Sequence, residues 1–290
     1  MQRILLGLGA LVFVGGLAAG ATGAFFSDSE TSTGNIFTAG EIDLTVDSEQ
    51  HYNGNVCQSG EQGYVWVGES EFPAPGSPCD GTWDATNLGA QKFWNFNDVK
   101  PGDEGENTIS LHVDSNDAYA CVDVNITSND DVSTVDPETD AGDALESAVD
   151  PFDGELAQNL NFFAWADYGT TPGFQGDDQG EGDNVWQANE PPLFSNVIGT
   201  AADALDGENY TLADSSTGPL TGGSTSYIGL AWCAGTLTAP ALGTLDCDGA
   251  GMGNVAQTDS MTASVAFRIE QARNNSNFTC ELPEEEEVVS

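Results

Sequence analysis

Apolar residues recur at every second position in short segments of this chain, and this pattern constrains the fold more than any other feature. From Met261 to Ile269 the odd-numbered residues are all apolar, whereas the residues between them are mostly polar. Successive side chains of a strand point to opposite faces, so this alternation predicts a strand with one buried face. Gly, Asn, Asp and Pro separate such segments, and no heptad repeat or long amphipathic helical pattern occurs. The sequence therefore predicts an all-β fold.

Seven segments of this kind are predicted to be strands: Glu41–Val46, Gly63–Val67, Asn107–Asp114, Ala118–Thr127, Asn161–Tyr168, Ser226–Cys233 and Ser260–Glu270. Two acidic stretches, 47–90 and 170–222, are expected to be surface insertions. This combination favours a jelly-roll-like two-sheet antiparallel sandwich with long acidic loop insertions. Asp140–Val149 is predicted to form one short helix.

The chain divides into four predicted parts: a signal peptide (1–24), an N-terminal arm with the first strand (25–46), a β-sandwich (47–282) and an acidic tail (283–290). No clear linker interrupts the third part, so one domain is expected rather than two. The like-charge run Glu284–Glu287 is expected to be solvated.

Acidic residues dominate the charge, with 47 Asp and Glu against 5 Lys and Arg, a formal net charge of −42. Such a surface repels nucleic acid, which has the same sign of charge, so no nucleic-acid partner is expected. At molar salt the screening length falls to about 3 Å, and the self-repulsion of the chain largely vanishes. The composition therefore predicts adaptation to extreme salt; the alternative is a dedicated cation-binding surface.

The N-terminus has the features of an export signal. Arg3 provides a positive start, Ile4–Ala24 is uncharged, and the segment ends in small residues. We expect cleavage after Ala24, which leaves Phe25 or Phe26 at the new terminus. A retained membrane span is the alternative, but Gly and Ala are dense in the segment and no basic stop-transfer residues follow. Contact with a membrane is thus expected only before cleavage.

Six cysteines are present and none lies in a CxxC pair. In an exported chain this even number favours disulfides over a metal or catalytic role. Six cysteines allow 15 pairings, and the sequence cannot select among them. Short loops favour the expected pairs Cys57–Cys79 and Cys233–Cys247, which leaves Cys121–Cys280.

No catalytic residue is predicted, and we expect that the protein is not an enzyme. His51 and His112 are far apart in sequence, and neither HExxH nor GxSxG occurs. His112 lies on the strand face opposite Leu111 and Val113, which favours a surface histidine. Carboxylate pairs are too abundant in this chain to indicate glycosidase chemistry.

Two kinds of modification or ligand site are candidates. The loop Gly176–Asn184 has oxygen ligands of the kind that Ca²⁺ takes, although it lacks the EF-hand spacing. Its candidate ligands are Asp177, Asp178, Glu181 and Asp183. No other cofactor is expected. Export would make the four N-x-S/T sequons usable for glycosylation, at Asn125, Asn209, Asn274 and Asn277.

The segment Gly20–Val46, GATGAFFSDSETSTGNIFTAGEIDLTV, resembles the start of the TasA/camelysin family, whose signals are cleaved by a SipW-type signal peptidase. The matching parts are Ala24–Asp28, then a polar run, then Phe37–Leu44. A weaker match is the PGD turn in Val99–Asp103, which precedes a predicted strand. The chain would be a halophilic, archaeal-like member, longer and more acidic than typical ones.

TasA-like proteins form extracellular fibres, so the resemblance implies a secreted structural subunit with a SipW-type peptidase and its own copies as partners. The arm would add as a donor strand to the sheet edge of a neighbouring copy and build a head-to-tail homopolymer. The candidate contact residues are Phe25, Phe26, Ile36, Phe37, Ile42 and Leu44. An ordinary first strand within the same chain is the equal alternative.

Two other functions remain open. Camelysin is described as a metalloprotease, so the resemblance also implies a cell-surface metallopeptidase. A monomeric glycan-binding sandwich is the third hypothesis, because six tryptophans could stack on sugars. Core packing is the commoner role of such residues.

Overall fold

The computed structural model describes residues 42–61, 63–143, 150–171, 174, 179–194 and 198–281. These residues belong to one unit of the chain, which begins at Gly40. The predicted signal peptide, the arm up to residue 41 and the acidic tail 283–290 lie outside the described residues. Within the described ranges, no helix is both long and apolar enough to cross a membrane.

Strands make up most of the regular structure. In chain order they are β1 (Leu44–Tyr52), β2 (Asn55–Gly60), β3 (Gly63–Val67), β4 (Trp83–Thr86), β5 (Glu104–Val113), β6 (Ala118–Asp130), β7 (Leu160–Ala166), β8 (Gly199–Thr200), β9 (Glu208–Ala213), β10 (Thr225–Ala234), β11 (Thr236–Ala241), β12 (Thr244–Asp248) and β13 (Ser260–Gln271). The helices are short: α1 (Asp136–Ala141), α2 (Leu156–Asn159) and α3 (Ala201–Ala204).

Two antiparallel sheets form a sandwich. The larger has the order β3-β2-β1-β5-β10-β7-β8, with β4 also paired to β1, and the smaller has the order β13-β6-β9. A β11–β12 hairpin is separate. The chain crosses repeatedly between the sheets, from β5 to β6 to β7 and from β9 to β10, as in jelly-roll folds. The predicted all-β, two-sheet antiparallel class is confirmed.

The main core lies between the two sheets. Ile109 of β5 pairs with Ile228 of β10, and both contribute to the same buried cluster as Val122, Val124 and Ile126 of β6. These positions alternate along their strands, so each strand places one apolar face inward. A smaller cluster forms on the other face of the larger sheet, around residues 163, 165, 231, 233 and 237.

The stretch 47–90, predicted to be a surface insertion, instead forms most of β1 and all of β2, β3 and β4. The alternation in β1 is hidden because polar residues occupy two inward positions, Ser48 and Gln50. Gln50 Nε2 donates to the Phe93 carbonyl (2.6 Å), and Asn107 Nδ2 donates to Ser48 Oγ (3.1 Å). Buried polar groups that find such partners can replace apolar ones.

Two other expectations need correction. The stretch 170–222 was also expected to be a surface insertion, but it contributes β8, α3 and β9. The helix expected at 140–149 shares only residues 140 and 141 with α1, which begins four residues earlier and is followed by the C-cap Gly142. Pro137 lies in its first turn, where a missing N–H leaves no donor unpaired. Residues 144–149 lie outside the described part.

Three disulfides join the strands, and they are the same pairs that loop length favoured. Cys57–Cys79 ties β2 to the loop before β4, and Cys233–Cys247 ties β10 to β12. Cys121–Cys280 spans 159 residues and fixes the C-terminal segment to the central strand of the smaller sheet. In the described ranges no cysteine is free.

Removing the long-range disulfide should destabilise the domain more than removing the short one. The sequence separations are 159 and 14 residues. Loop-closure entropy predicts a loss of about 5 kcal/mol for the Cys121→Ala/Cys280→Ala pair and about 3 kcal/mol for Cys233→Ala/Cys247→Ala. Urea unfolding of both variants at molar salt measures this, and an equal or reversed order would contradict it.

Candidate functional site

Strand β13 forms one edge of the smaller sheet. It pairs with β6 along its whole length, from Ser260 opposite Asp130 to Gln271 opposite Ala118. Among the described residues, no strand pairs with its other edge. A 12-residue strand therefore presents a row of N–H and C=O groups that a further strand could pair with.

The inward face of β13 is apolar but incompletely covered. Its apolar residues are Met261, Ala263, Val265, Phe267 and Ile269, and all of them are only partly buried. Their partners on β6 are more completely covered: residues 122, 124 and 126 are buried. The difference arises because β6 has a neighbour on both sides and β13 on one. The site is therefore a partly covered apolar face beside an unpaired strand edge, which we call the β13 edge.

Aromatic side chains from the loop after β4 lie against this edge. The Phe93 ring packs edge-on to Phe267 with centroids 6.3 Å apart, and Trp83 packs on Phe93 at 5.0 Å. Trp83 Nε1 donates to the Val46 carbonyl (3.1 Å), which fixes the indole to β1. These aromatic rings thus connect the β13 edge to the larger sheet.

Only two of the six predicted donor-strand residues are described. Leu44 begins β1 and pairs with Val113 of the same chain, and the Asp114 N–H donates to the Asp43 carbonyl (3.1 Å). Ile42 packs against the core. Leu44 therefore belongs to the domain's own sheet and Ile42 packs on the domain's own core, so a strand for exchange would have to precede them. Phe25, Phe26, Ile36 and Phe37 lie outside the described residues.

A group of carboxyls adjoins the start of β13. Asp259 directly precedes the strand, and burial raises the pKa of its carboxyl to about 6. Hydrogen bonds from the Glu155 and Leu156 N–H groups lower that pKa, whereas the charges of Asp131 and Glu138 raise it further. Ionisation of Asp259 is therefore less favourable in the folded protein than in the unfolded chain.

The two histidines lie apart, and each has its own partner. His112 lies between Asp47 (Nε2 to Oδ2, 2.5 Å) and Thr225 (Nδ1 to Oγ1, 2.9 Å). His51 contacts Glu49 at 3.2 Å. Because His112 pairs with Thr45, the two imidazoles are six residues apart along β1, which is about 20 Å. Within the described ranges, no three His, Cys, Asp or Glu residues form a metal-binding group.

The predicted calcium loop is only partly described, because Asp177 and Asp178 lie outside the described residues. Asp183 accepts from the Val185 N–H (2.9 Å) and from the Gln187 side chain (3.2 Å). Glu181 forms an isolated bridge with Tyr168. This loop lies beside two buried carboxyls, those of residues 167 and 190, which the sequence reasoning missed. The sequence offers one signal for this pair: Asp167 directly follows the mostly apolar run 160–166.

The candidate glycosylation sites differ in exposure. Asn125, Asn274 and Asn277 are exposed. Asn209 is half-buried, and its side-chain amide donates to the Asp123 carboxylate, which leaves it less accessible.

The tryptophans lie in aromatic clusters. Trp66, Trp165 and Trp232 are buried, and the other three are partly buried. Each of the six contacts another aromatic ring; Trp232, for example, packs on Tyr52 at 5.3 Å. None is presented as an open stacking platform.

A scan against protein-family models finds no match to the chain, and a search of curated proteins finds none either.

The Asp259→Asn variant should be more stable than the wild type at neutral pH. The pKa of Asp259 in the folded state, about 6, exceeds the ordinary Asp value of 3.8, so the folded protein binds this proton more tightly than the unfolded chain does. Its contribution is most favourable below about pH 4 and is lost as the pH rises through about 6. Asn does not ionise, so the variant keeps its stability as the pH rises. The difference in unfolding free energy between the variant and the wild type should therefore shrink as the pH falls from 7 to 4.

Urea unfolding across this pH range measures the effect, with Asp214→Asn as the control. Burial alone would raise the pKa of Asp214, but hydrogen bonds from Ser216 and Thr217 lower it below the ordinary value. Asp214→Asn should therefore lose stability at neutral pH, and the loss should fade as the wild-type carboxylate protonates. An Asp259→Asn variant that is less stable than the wild type at pH 7 would contradict the assignment.

Proposed function

We propose that this chain is a secreted structural subunit that polymerises by β-strand addition into an extracellular filament or matrix fibre. The observation that carries the proposal is the β13 edge: among the described residues, this 12-residue strand pairs with β6 alone, and its apolar face is only partly covered. A neighbouring copy supplies the missing strand from its N-terminal arm, and the repeated head-to-tail contact does not close on itself. In this proposal the protein needs no cofactor and performs no chemistry.

The length of the N-terminal arm fits the length of the β13 edge. Phe25–Phe26 and Ile36–Phe37 are 11 residues apart in sequence. In an extended strand this separation is about 36 Å, close to the span of a 12-residue strand. The apolar ends of the arm could therefore reach both ends of the β13 edge. The arm precedes Leu44, where the domain's own sheet begins, so pairing with a neighbour leaves β1 undisturbed.

Several features support the extracellular part of the proposal. Three disulfides are typical of oxidising compartments. Exposed sequons and the signal-like N-terminus fit export. The resemblance of Gly20–Val46 to TasA/camelysin proteins fits both cleavage by a SipW-type peptidase and fibre formation. At molar salt, screening would allow copies with a charge of −42 to approach each other.

The two alternatives lack a comparable observation. A camelysin-like peptidase needs metal ligands that converge, whereas the two histidines are separated along the β1–β5 ladder. A glycan-binding sandwich needs exposed aromatic platforms, whereas the tryptophans pack in the core. Chelator-sensitive casein cleavage, or retention of a soluble monomer on polysaccharide, would favour these alternatives.

Deleting Phe25–Phe37 from the mature protein should abolish fibres and leave the domain folded. The deleted segment supplies the proposed donor strand but none of the described core. Negative-stain electron microscopy and sedimentation at molar salt measure assembly, and the melting temperature reports on folding. A synthetic peptide of residues 25–37 should bind the deleted variant. Fibres formed by the folded deletion variant would sink the donor-strand proposal.

A charge on the inward face of β13 should block assembly, whereas the same charge on the opposite face should not. Val265 lies on the partly buried inward face, and its neighbour Ala266 is exposed on the outer face. We expect that Val265→Lys prevents fibre growth, because an incoming strand would bury the ammonium group. Ala266→Lys is the matched control and should still assemble. Equal assembly by both folded variants would place the contact elsewhere.

A further inference from the structure

Two carboxyls are buried together at the end of β7. Asp167 follows the strand and is fully buried, and Glu190 is 3% exposed. Each affects the titration of the other, and they lie in hydrogen-bonding contact. Among the described residues, three basic side chains have partners away from this pair: Lys92 contacts Asn95, Lys100 contacts Asp98 and Arg268 contacts Asp123. Two buried carboxylates without a cationic side chain need a proton or a cation.

Backbone donors hold the pair in position but do not neutralise it. The Asn184 N–H donates to Asp167 Oδ2 (2.8 Å). The Gly169 N–H donates to Glu190 Oε1 (2.8 Å), and the Gln187 N–H donates to Glu190 Oε2 (2.6 Å). The two carboxyls thus connect the end of β7 with the loop 179–190.

Two buried oxygen atoms beside the pair receive no hydrogen bond from an N–H or O–H donor. They are Oδ1 of the fully buried Asp167 and Oδ1 of Asn184. The Asn184 amide is already oriented, because its Nδ2 donates to Glu106 Oε2 (3.1 Å). Buried oxygen acceptors without partners are rare in native proteins and commonly indicate a missing water or ion.

We propose that Asp167 and Glu190 form a cation site that takes a divalent ion of the Ca²⁺ type. The two carboxylates would neutralise the ion, and the unpartnered Asn184 oxygen would add a neutral ligand. Ca²⁺ accepts flexible shells of oxygen ligands, including amides and waters, so two carboxylates can suffice. This proposed site differs from the calcium site predicted from sequence, whose four candidate ligands lie in the loop Gly176–Asn184. An ion bound to Asp167 and Glu190 would attach that loop to the larger sheet.

A shared proton is the competing occupant. Burial raises the pKa of both carboxyls, and at Glu190 hydrogen bonds from Gln187 and Gly169 act against this rise. The titratable groups that face the pair are Glu106 of β5, Tyr227 of β10, and Glu181 and Asp183 of the loop. All of these are acidic or phenolic, so they favour whichever positive species binds. A divalent ion has to displace the proton, so its affinity should fall as the pH decreases.

Calorimetric titration with Ca²⁺ tests the site in the mature protein at molar NaCl, where screening suppresses diffuse binding to the acidic surface. The wild type should bind one ion saturably after chelator treatment, and its melting temperature should rise. Glu190→Gln and Asp167→Asn should weaken this binding about tenfold or more. Asp206→Asn, which removes an exposed carboxylate, is the matched control and should bind like the wild type.

A wild-type measurement keeps the test decisive if either variant fails to fold. Trp186 Nε1 donates to the Glu190 carbonyl (3.1 Å), so Tb³⁺ in the site should show tryptophan-sensitised luminescence that Ca²⁺ removes. The Ca²⁺ affinity should also fall from pH 8 to pH 5. The proposal is overturned if no saturable site appears at molar salt, or if folded Glu190→Gln binds as the wild type does. Either result would assign the pair to a shared proton.

Discussion

The antiparallel pairing of β13 with β6 holds the smaller sheet together, and the rest of the sandwich depends on it. Beyond this pair the smaller sheet contains only β9, whereas the facing sheet has eight strands. Three strands cannot cover the whole inner face of the larger sheet. Phe93 and Trp94, from the loop before β5, fill part of the difference and pack on Phe162 and Phe267. The part of the inner face that stays uncovered lies beside β13. The difference in strand number between the two sheets therefore leaves this strand partly uncovered and creates the proposed binding site.

The near absence of Lys and Arg determines how buried carboxyls are accommodated. In most proteins a buried carboxylate can pair with a basic side chain, but this chain has 5 bases for 47 acids. Asp214 is stabilised as a carboxylate by hydrogen bonds from Ser216 and Thr217. Asp259 and the pair of residues 167 and 190 have fewer such donors relative to their burial, and their pKa values rise. Local hydrogen bonding and raised pKa values therefore take the place of the ion pairs that stabilise buried carboxyls elsewhere.

The fold class and the main strands could be predicted from sequence because their alternation is carried by apolar residues. The segment Gly63–Val67 is β3 with the predicted bounds. The predicted first strand, Glu41–Val46, begins and ends too early compared with β1. Its true end was missed because Ser48 and Gln50 take inward positions that only tertiary hydrogen bonds make acceptable. The carboxyl pair could not be predicted, since its members are 23 positions apart and meet only when β7 and the following loop pack together. Likewise, no local pattern shows that β13 is an edge strand.

The distribution of charge along β13 distinguishes a pairing edge from a protected one. Natural edge strands commonly carry Lys, inward charges or Pro, which prevent pairing with other chains. Here Ser260–Phe267 is eight residues long and has no charged residue, in a chain where 47 of 290 residues are acidic. Arg268 and Glu270 provide charge only towards the C-terminal end, and Arg268 is engaged with Asp123 and the Cys280 carbonyl. An edge that needed protection from association would be the first place to use the abundant carboxylates. Their absence from this segment indicates that the β13 edge is suited to receive a strand.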